Sequence, residues 1–164
     1  MSSNANRAQT VGLKIYSQLP PLFRQRLVRS VKPSFTVGVM AVVVRPDGAL
    51  LLVRHSYLSN WSFPGGLVNR RERIEVGVAR ETREEVGLRI ALVGEPAVVV
   101  DPYRQVVRVV YRAVPAEGAS ADDAHPASPE IIEVGWFQPG AIATMSPEAA
   151  EALRSLERSE RGNR

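Results

Sequence analysis

The chain has 164 residues, enough for one globular domain with a substantial core and too few for a large two-domain enzyme. It contains no cysteine, which excludes a disulfide scaffold, a cysteine zinc site and a thiol nucleophile. The formal charge of +4 is local: residues 1–34 hold six basic groups (Arg7, Lys14, Arg24, Arg26, Arg29, Lys32) and no acid, and the remainder holds fifteen basic and seventeen acidic groups.

Residues 1–10 are small and polar, with the composition of a disordered end. From 11 to 31 apolar residues recur at roughly helical spacing, interrupted at Pro20-Pro21, which predicts two short helical pieces in a basic N-terminal extension, residues 1–34. This acid-free arm resembles an organellar transit peptide, but a basic surface helix on a cytosolic protein is the simpler reading, so a cytoplasmic location is expected. No run of eighteen apolar residues occurs, so no transmembrane helix is expected. The main domain is expected over residues 35–158, followed by a short tail at 159–164.

Residues 35–45 are rich in β-branched side chains and read as a buried strand. The turn Arg45-Pro46-Asp47-Gly48 then predicts a hairpin returning through residues 49–54. Residues 56–68, with Pro64-Gly65-Gly66, read as a loop, and 73–86 as a helix stopped by Gly87. Two further strands are expected at 88–100 and 105–114, broken at Asp101-Pro102-Tyr103. Residues 115–129 have almost no large apolar side chain and are expected to form a mobile surface loop. A last strand follows at 131–137. A closing helix is expected at 147–158, with Pro147 in the first turn and Glu148, Ala149, Leu153 and Leu156 on one face. This order means a mixed sheet with helices in one layered α/β domain.

The chemistry lies in residues 66–88, GLVNRRERIEVGVARETREEVGL. Glu81, Glu84 and Glu85 stand at i, i+3 and i+4, so three carboxylates share one helix face. Such like-charge neighbours cost ~0.2–0.5 kcal/mol per pair on an exposed helix. Arg80, four residues before Glu84, offsets some of that, and a divalent cation would offset far more. Hard oxygen ligands on a rigid element suit Mg²⁺ or Mn²⁺, which bind a few carboxylates together with substrate phosphate oxygens. The stripe Ile74, Val78, Thr82 and Val86 lies on an adjoining face and can pack. Gly77, on the carboxylate face, costs roughly 1 kcal/mol against Ala, which close approach of a substrate would explain.

The segment resembles the Nudix box, the signature of hydrolases acting on a nucleoside diphosphate linked to another moiety. Gly66, Glu72, Arg80, Glu81, Glu84, Glu85 and Gly87 fall on its fixed positions, and Leu88 fits its last apolar one. At average residue usage near 7%, seven such matches arise by chance in ~10⁻⁸ of windows. The preceding Trp61-Ser62-Phe63-Pro64-Gly65 is similar to the family's entry to the box. Three positions depart from it: Thr82 replaces an aliphatic residue, Asn69 a common Glu, and Arg71 a common Gly. The resemblance implies an α/β/α sandwich with a mixed central sheet. It also implies Mg²⁺, with Mn²⁺ as a substitute, held by Glu81, Glu84, Glu85 and the Gly65 carbonyl, and a metal-activated water that attacks phosphorus. Glu84 is the favoured proton acceptor, with Glu81 beside it and Glu130 as the distant alternative. Gly66, Glu72, Arg80 and Gly87 are the structural members of the box, with Glu72 and Arg80 as an ion pair orienting loop against helix.

Other polar candidates are weaker. Arg54 precedes the loop and could meet a phosphate, with His55 next to it. Trp61 could stack on a base or anchor the loop, and His125 is expected to face solvent. Family members acting on ADP-ribose commonly carry Pro fifteen positions after the box; here Pro102 is at fourteen and Tyr103 at fifteen. The expected substrate is an ADP-ribose-like sugar nucleotide, then a nucleoside triphosphate, with Tyr103 as a base-stacking candidate. The alternative is a Nudix-like domain that binds a nucleotide or protein without hydrolysis. Nucleic acid is not the expected partner, because the positive excess sits outside the domain; the resemblance admits a homodimer.

Overall fold

The computed structural model describes residues 34–142 and 144–162. The helical pieces expected in the basic extension lie outside the described residues. Seven strands and two helices follow: β1 (Thr36–Val43), β2 (Leu50–His55), β3 (Trp61–Ser62), β4 (Gly65–Leu67), α1 (Ile74–Val86), β5 (Ile90–Asp101), β6 (Val106–Pro115), β7 (Ile131–Phe137) and α2 (Pro147–Gly162).

The strands form two sheets. A mixed four-stranded sheet runs β4-β1-β6-β5, with β1 parallel to β6 and antiparallel to β4. An antiparallel three-stranded sheet runs β3-β2-β7. Together they make the middle layer, and alternation along β1 and β2 divides the core in two. Val39, Ala41, Val43, Leu51 and Val53 face α1, through Val78, Val86 and the following Leu88. Met40, Val42, Leu50 and Leu52 face α2, through Ala149, Ala152 and Leu156. Strands buried on both faces read as continuous apolar runs, which is why β1 and β2 stand out in the sequence.

Three expectations are corrected. The turn after β1 forms, with Gly48 at φ +85°, but β1 and β2 share only one bridge, Val44 to Leu50, and enter different sheets. Both edges of β1 are already taken by β4 and β6, so a hairpin has no edge to use. Within the segment expected to be a loop, β3 pairs with β2 and β4 with β1. On α2 the buried residues are Ala149, Ala152 and Leu156, while Glu148 instead pairs with Arg104 at the β5–β6 turn.

The loop at 115–129 is also more ordered than its composition suggests. Ser120 and Asp123 form a capping box around a 3₁₀ turn at Ala121–Asp123, and Trp136 Nε1 donates to the Ala121 carbonyl at 3.1 Å. Its far end docks on α1: the His125 and Ala127 N–H groups donate to the Val86 and Glu85 carbonyls at 3.1 and 2.9 Å. The last carbonyls of a helix lack intrahelical donors, and this loop supplies them.

Candidate active site

The site is assembled where β4, α1 and the loop before β7 meet. Gly66 stands against Glu81, and a Cβ there would lie 2.4 Å from Glu81 Oε2, so a larger residue would have to displace that carboxylate. Gly65 packs so closely on β1 that a Cβ would lie 2.1 Å from the Val39 carbonyl oxygen. Its N–H donates to Glu85 Oε2 at 2.9 Å. Gly65 is thus explained by the close approach of backbone, and Gly66 by the room it leaves the Glu81 carboxylate.

The turn from β4 into α1 is tied by Glu72. Its carboxylate accepts the Asn69 N–H at 2.8 Å and two bonds from Arg80, Nε at 2.8 Å and Nη2 at 3.0 Å. The Arg80 bonds, and then the Asn69 bond, hold the Glu72 carboxyl down at about 2. Gly77 abuts this carboxylate, with a Cβ position 3.2 Å from Glu72 Oε2. Its lack of a side chain therefore serves loop–helix packing, in place of the substrate approach expected from the sequence. Arg71 adopts φ +64°, the left-handed conformation suited to the glycine that many family members carry there.

Arg80 is the hub of the outer face of α1. Its Nη1 also donates to Glu81 and Glu84, both at 2.9 Å, so one guanidinium binds three carboxylates. These bonds raise the Arg80 pKa, Glu72 contributing most. Glu85 lies on the inner side, 7% exposed. Burial pushes its pKa up to about 7, against the Gly65 N–H bond, and the charges of Glu81, Glu130 and Glu84 push the same way. A buried carboxylate among three others is a site that gains from a cation.

The donor set is chemically suited to a hard divalent ion, being oxygen throughout. As arranged, no three acidic or imidazole side chains among the described residues stand close enough together to hold an ion. Arg80 meanwhile occupies Glu81 and Glu84, so an ion would take over part of the role of its guanidinium.

Glu130 is brought in by the loop before β7. The Ser56 N–H donates to its carbonyl at 2.8 Å, and its charge acts on Glu85, His55 and Tyr57. The other candidates are placed differently. Arg54 pairs across β2 and β7 with Glu133, Nε to Oε2 at 2.8 Å. Trp61 rests on Phe137, ring centroids 4.6 Å apart, and its backbone ties down residues 144 and 146. Tyr103, 97% exposed, projects from the β5–β6 turn. His125 is exposed, with its ring beside Gly87, where a Cβ would lie 2.5 Å from the ring. Gly87 adopts φ +69° and its N–H closes α1 on the Arg83 carbonyl. Sequence reasoning gave no role to Ser128 and Tyr57, and took His55 only as a weak contact or rim candidate beside Arg54. The available signal was a His one residue past the apolar, buried run Leu50 to Val53.

A layered α/β fold whose helix crowds glutamates against a Gly-Gly strand defines a class of small α/β hydrolases. The chain belongs to the NUDIX family, hydrolases that act on nucleoside diphosphate derivatives: the model of the NUDIX domain matches residues 34–156. A MutT-like protein of Streptomyces ambofaciens is 34% identical over 125 residues, covering 76% of this chain and 77% of that protein. A CMP-5'-(N-acetyl-N-hydroxy-3-aminopropyl)phosphonate hydrolase of Streptomyces rubellomurinus is 32% identical over 123 residues, covering 72% of this chain and 56% of that relative's length. Among solved structures, the MutT NUDIX hydrolase of Burkholderia pseudomallei is 26% identical with a TM-score of 0.57, covering 74% of this chain and 97% of that one. No helix among the described residues is long and apolar enough to cross a membrane.

Proposed function

We propose that this enzyme hydrolyses the diphosphate linkage of a nucleoside diphosphate derivative in a Mg²⁺-dependent reaction, with an ADP-ribose-like sugar nucleotide favoured and a nucleoside triphosphate next. The observation that carries the reading is the buried Glu85 carboxyl, 7% exposed and accepting the Gly65 N–H at 2.9 Å, on the helix face it shares with Glu81 and Glu84. Glu81, Glu84, Glu85 and the Gly65 carbonyl would hold Mg²⁺, which when bound polarises diphosphate oxygens and acidifies a water.

The chain's own residues do the rest. Glu84, the most exposed of the three at 58%, can turn from Arg80 toward the attacking water and accept its proton. Glu130 is the second carboxylate in reach of that role. Arg80, released from Glu84, keeps Glu72 and holds the loop against α1 while the cluster reorganises. A linked group is preferred over a bare triphosphate because the Streptomyces rubellomurinus relative is named for a nucleoside monophosphate joined to a phosphonate.

Phosphate or nucleoside monophosphate release is measured across a panel of nucleotide sugars, dinucleotides and triphosphates, with Mg²⁺ and with chelator. Release by wild type with Mg²⁺ and none by Glu84→Gln supports the reading. Equal release by both proteins, or none with any panel member, overturns it in favour of a binding domain.

A further inference from the structure

Among the described residues, two buried side-chain polar atoms have no hydrogen-bond partner: His55 Nδ1 and Ser128 Oγ. They lie on either side of Glu130. His55 ends β2, opposite Ile131 of β7, and the adjoining Ser56 N–H binds the Glu130 carbonyl at 2.8 Å. Ser128 begins the same turn, where its carbonyl accepts the Ile131 N–H at 3.2 Å. His55 is 8% exposed and packs on Tyr57, ring centroids 5.2 Å apart. Leu50 to Val53, the rest of the strand up to Arg54, is apolar and buried, so packing alone has no need of an imidazole there. Leaving a buried polar atom unpaired is costly, and the cost persists where the group works in another state of the protein.

The two atoms are chemically complementary. A serine hydroxyl is a donor, and Nδ1 of a neutral imidazole protonated on Nε2 is an acceptor. Burial favours the neutral ring by lowering its pKa, and the Glu130 charge opposes this more weakly. With Nδ1 accepting from Ser128, the Nε2–H is left to donate to a carboxylate.

We propose that Ser128, His55 and Glu130 form a hydrogen-bonded chain in the metal-loaded enzyme, Ser128 Oγ–H donating to His55 Nδ1 and His55 Nε2–H donating to the Glu130 carboxylate. His55 is thus a positioning residue that aims Glu130 at the α1 glutamates. The inference rests on the proposed hydrolysis for its kinetic part and is independent of it for its spectroscopic part.

The chain has only two histidines, so long-range ¹H–¹⁵N spectra of the ¹⁵N-labelled, Mg²⁺-loaded protein resolve both rings. The expected His55 signature is the Nε2–H tautomer, with an Nδ1 resonance that moves in Ser128→Ala while His125 stays in place. An Nδ1–H tautomer, or a spectrum indifferent to Ser128→Ala, overturns the chain. In kinetics, His55→Phe lowers kcat by ~10-fold or more with little change in KM, the size found for residues that orient a ligand. His55→Gln, which keeps one donor and one acceptor, recovers part of the loss. The His55→Phe melting temperature does not fall, because the unpaired nitrogen is gone. In a Glu130→Gln background the same substitution costs nothing further. An undiminished loss in that background, or a loss of kcat matched by lower melting temperature, overturns the proposal. Wild-type kcat in Glu130→Gln also overturns it and leaves the hydrolysis reading standing. Absence of hydrolysis by wild type breaks that reading instead, and the tautomer spectrum then decides the chain.

Discussion

The two helices pack on opposite faces of one middle layer and are held by different physics. α2 is fixed chiefly by apolar contact, with Ala149, Ala152 and Leu156 wholly buried against Met40, Val42 and Val110, and by the ion pairs Arg104–Glu148 and Arg112–Glu160 along its length. α1 also buries Val78 and Val86, yet much of its surface is charged, with Arg80 binding three carboxylates and a fourth, Glu85, under the Gly65 strand. The α2 face therefore supplies stability, which is proportional to buried apolar area. The α1 face holds like charges together, at a cost in stability, and so keeps the site proposed to hold Mg²⁺.

Four experiments press on this contrast. Glu84→Gln should lower Mg²⁺-dependent kcat by ~10²–10⁴-fold, as expected for loss of a proton acceptor, and leave the melting temperature almost unchanged. A large fall in stability would show that the α1 carboxylates are structural. Leu156→Ala on the α2 face should do the reverse, costing ~2–5 kcal/mol in urea unfolding with kcat in the folded fraction nearly intact. Loss of kcat in proportion to stability would erase the distinction between the faces.

The third test concerns Glu85. Its folded-state pKa of about 7 lies above the ordinary 4.5, so the folded protein holds this proton more tightly than the unfolded chain. Its stabilising contribution is complete below about pH 4.5 and is lost as pH rises through about 7. Without divalent cations, urea unfolding should show a loss on the order of 2–3 kcal/mol between about pH 5 and about pH 8. Glu85→Gln should flatten the slope, and saturating Mg²⁺ should restore stability at the alkaline end. A slope unaffected by Glu85→Gln would place the titration elsewhere.

The smallest effect is expected at Arg71. Replacing it with Gly relieves the φ of +64° and should stabilise the protein by ~1 kcal/mol, seen as a higher melting temperature with unchanged kcat. A decrease would mean that the chain entropy added by glycine outweighs the strain.

Much of the α1 face was legible in the sequence because its signals are local. Helical periodicity, Gly87 as terminator and the i, i+3, i+4 glutamates all act within one element. The role of Gly77 was not legible, because the carboxylate that fills its space comes from a loop residue whose direction is set by Arg80. The same holds for the loop at 115–129. Its composition signals mobility, but backbone carbonyls at the end of α1 bind it, and backbone acceptors leave no mark on side-chain composition.

The sequence by itself determined five of the seven strands and both described helices, the apolar stripes and the spacing of the carboxylates, since these depend on residues close along the chain. Only tertiary structure decided that β1 and β2 part into different sheets, that Arg80 gathers Glu72, Glu81 and Glu84, and that the Glu130 charge acts on Glu85 and His55. Those outcomes depend on which edges are free and which groups are buried together. Strand pairing and desolvation are properties of the packed whole, so no window of the sequence contains them.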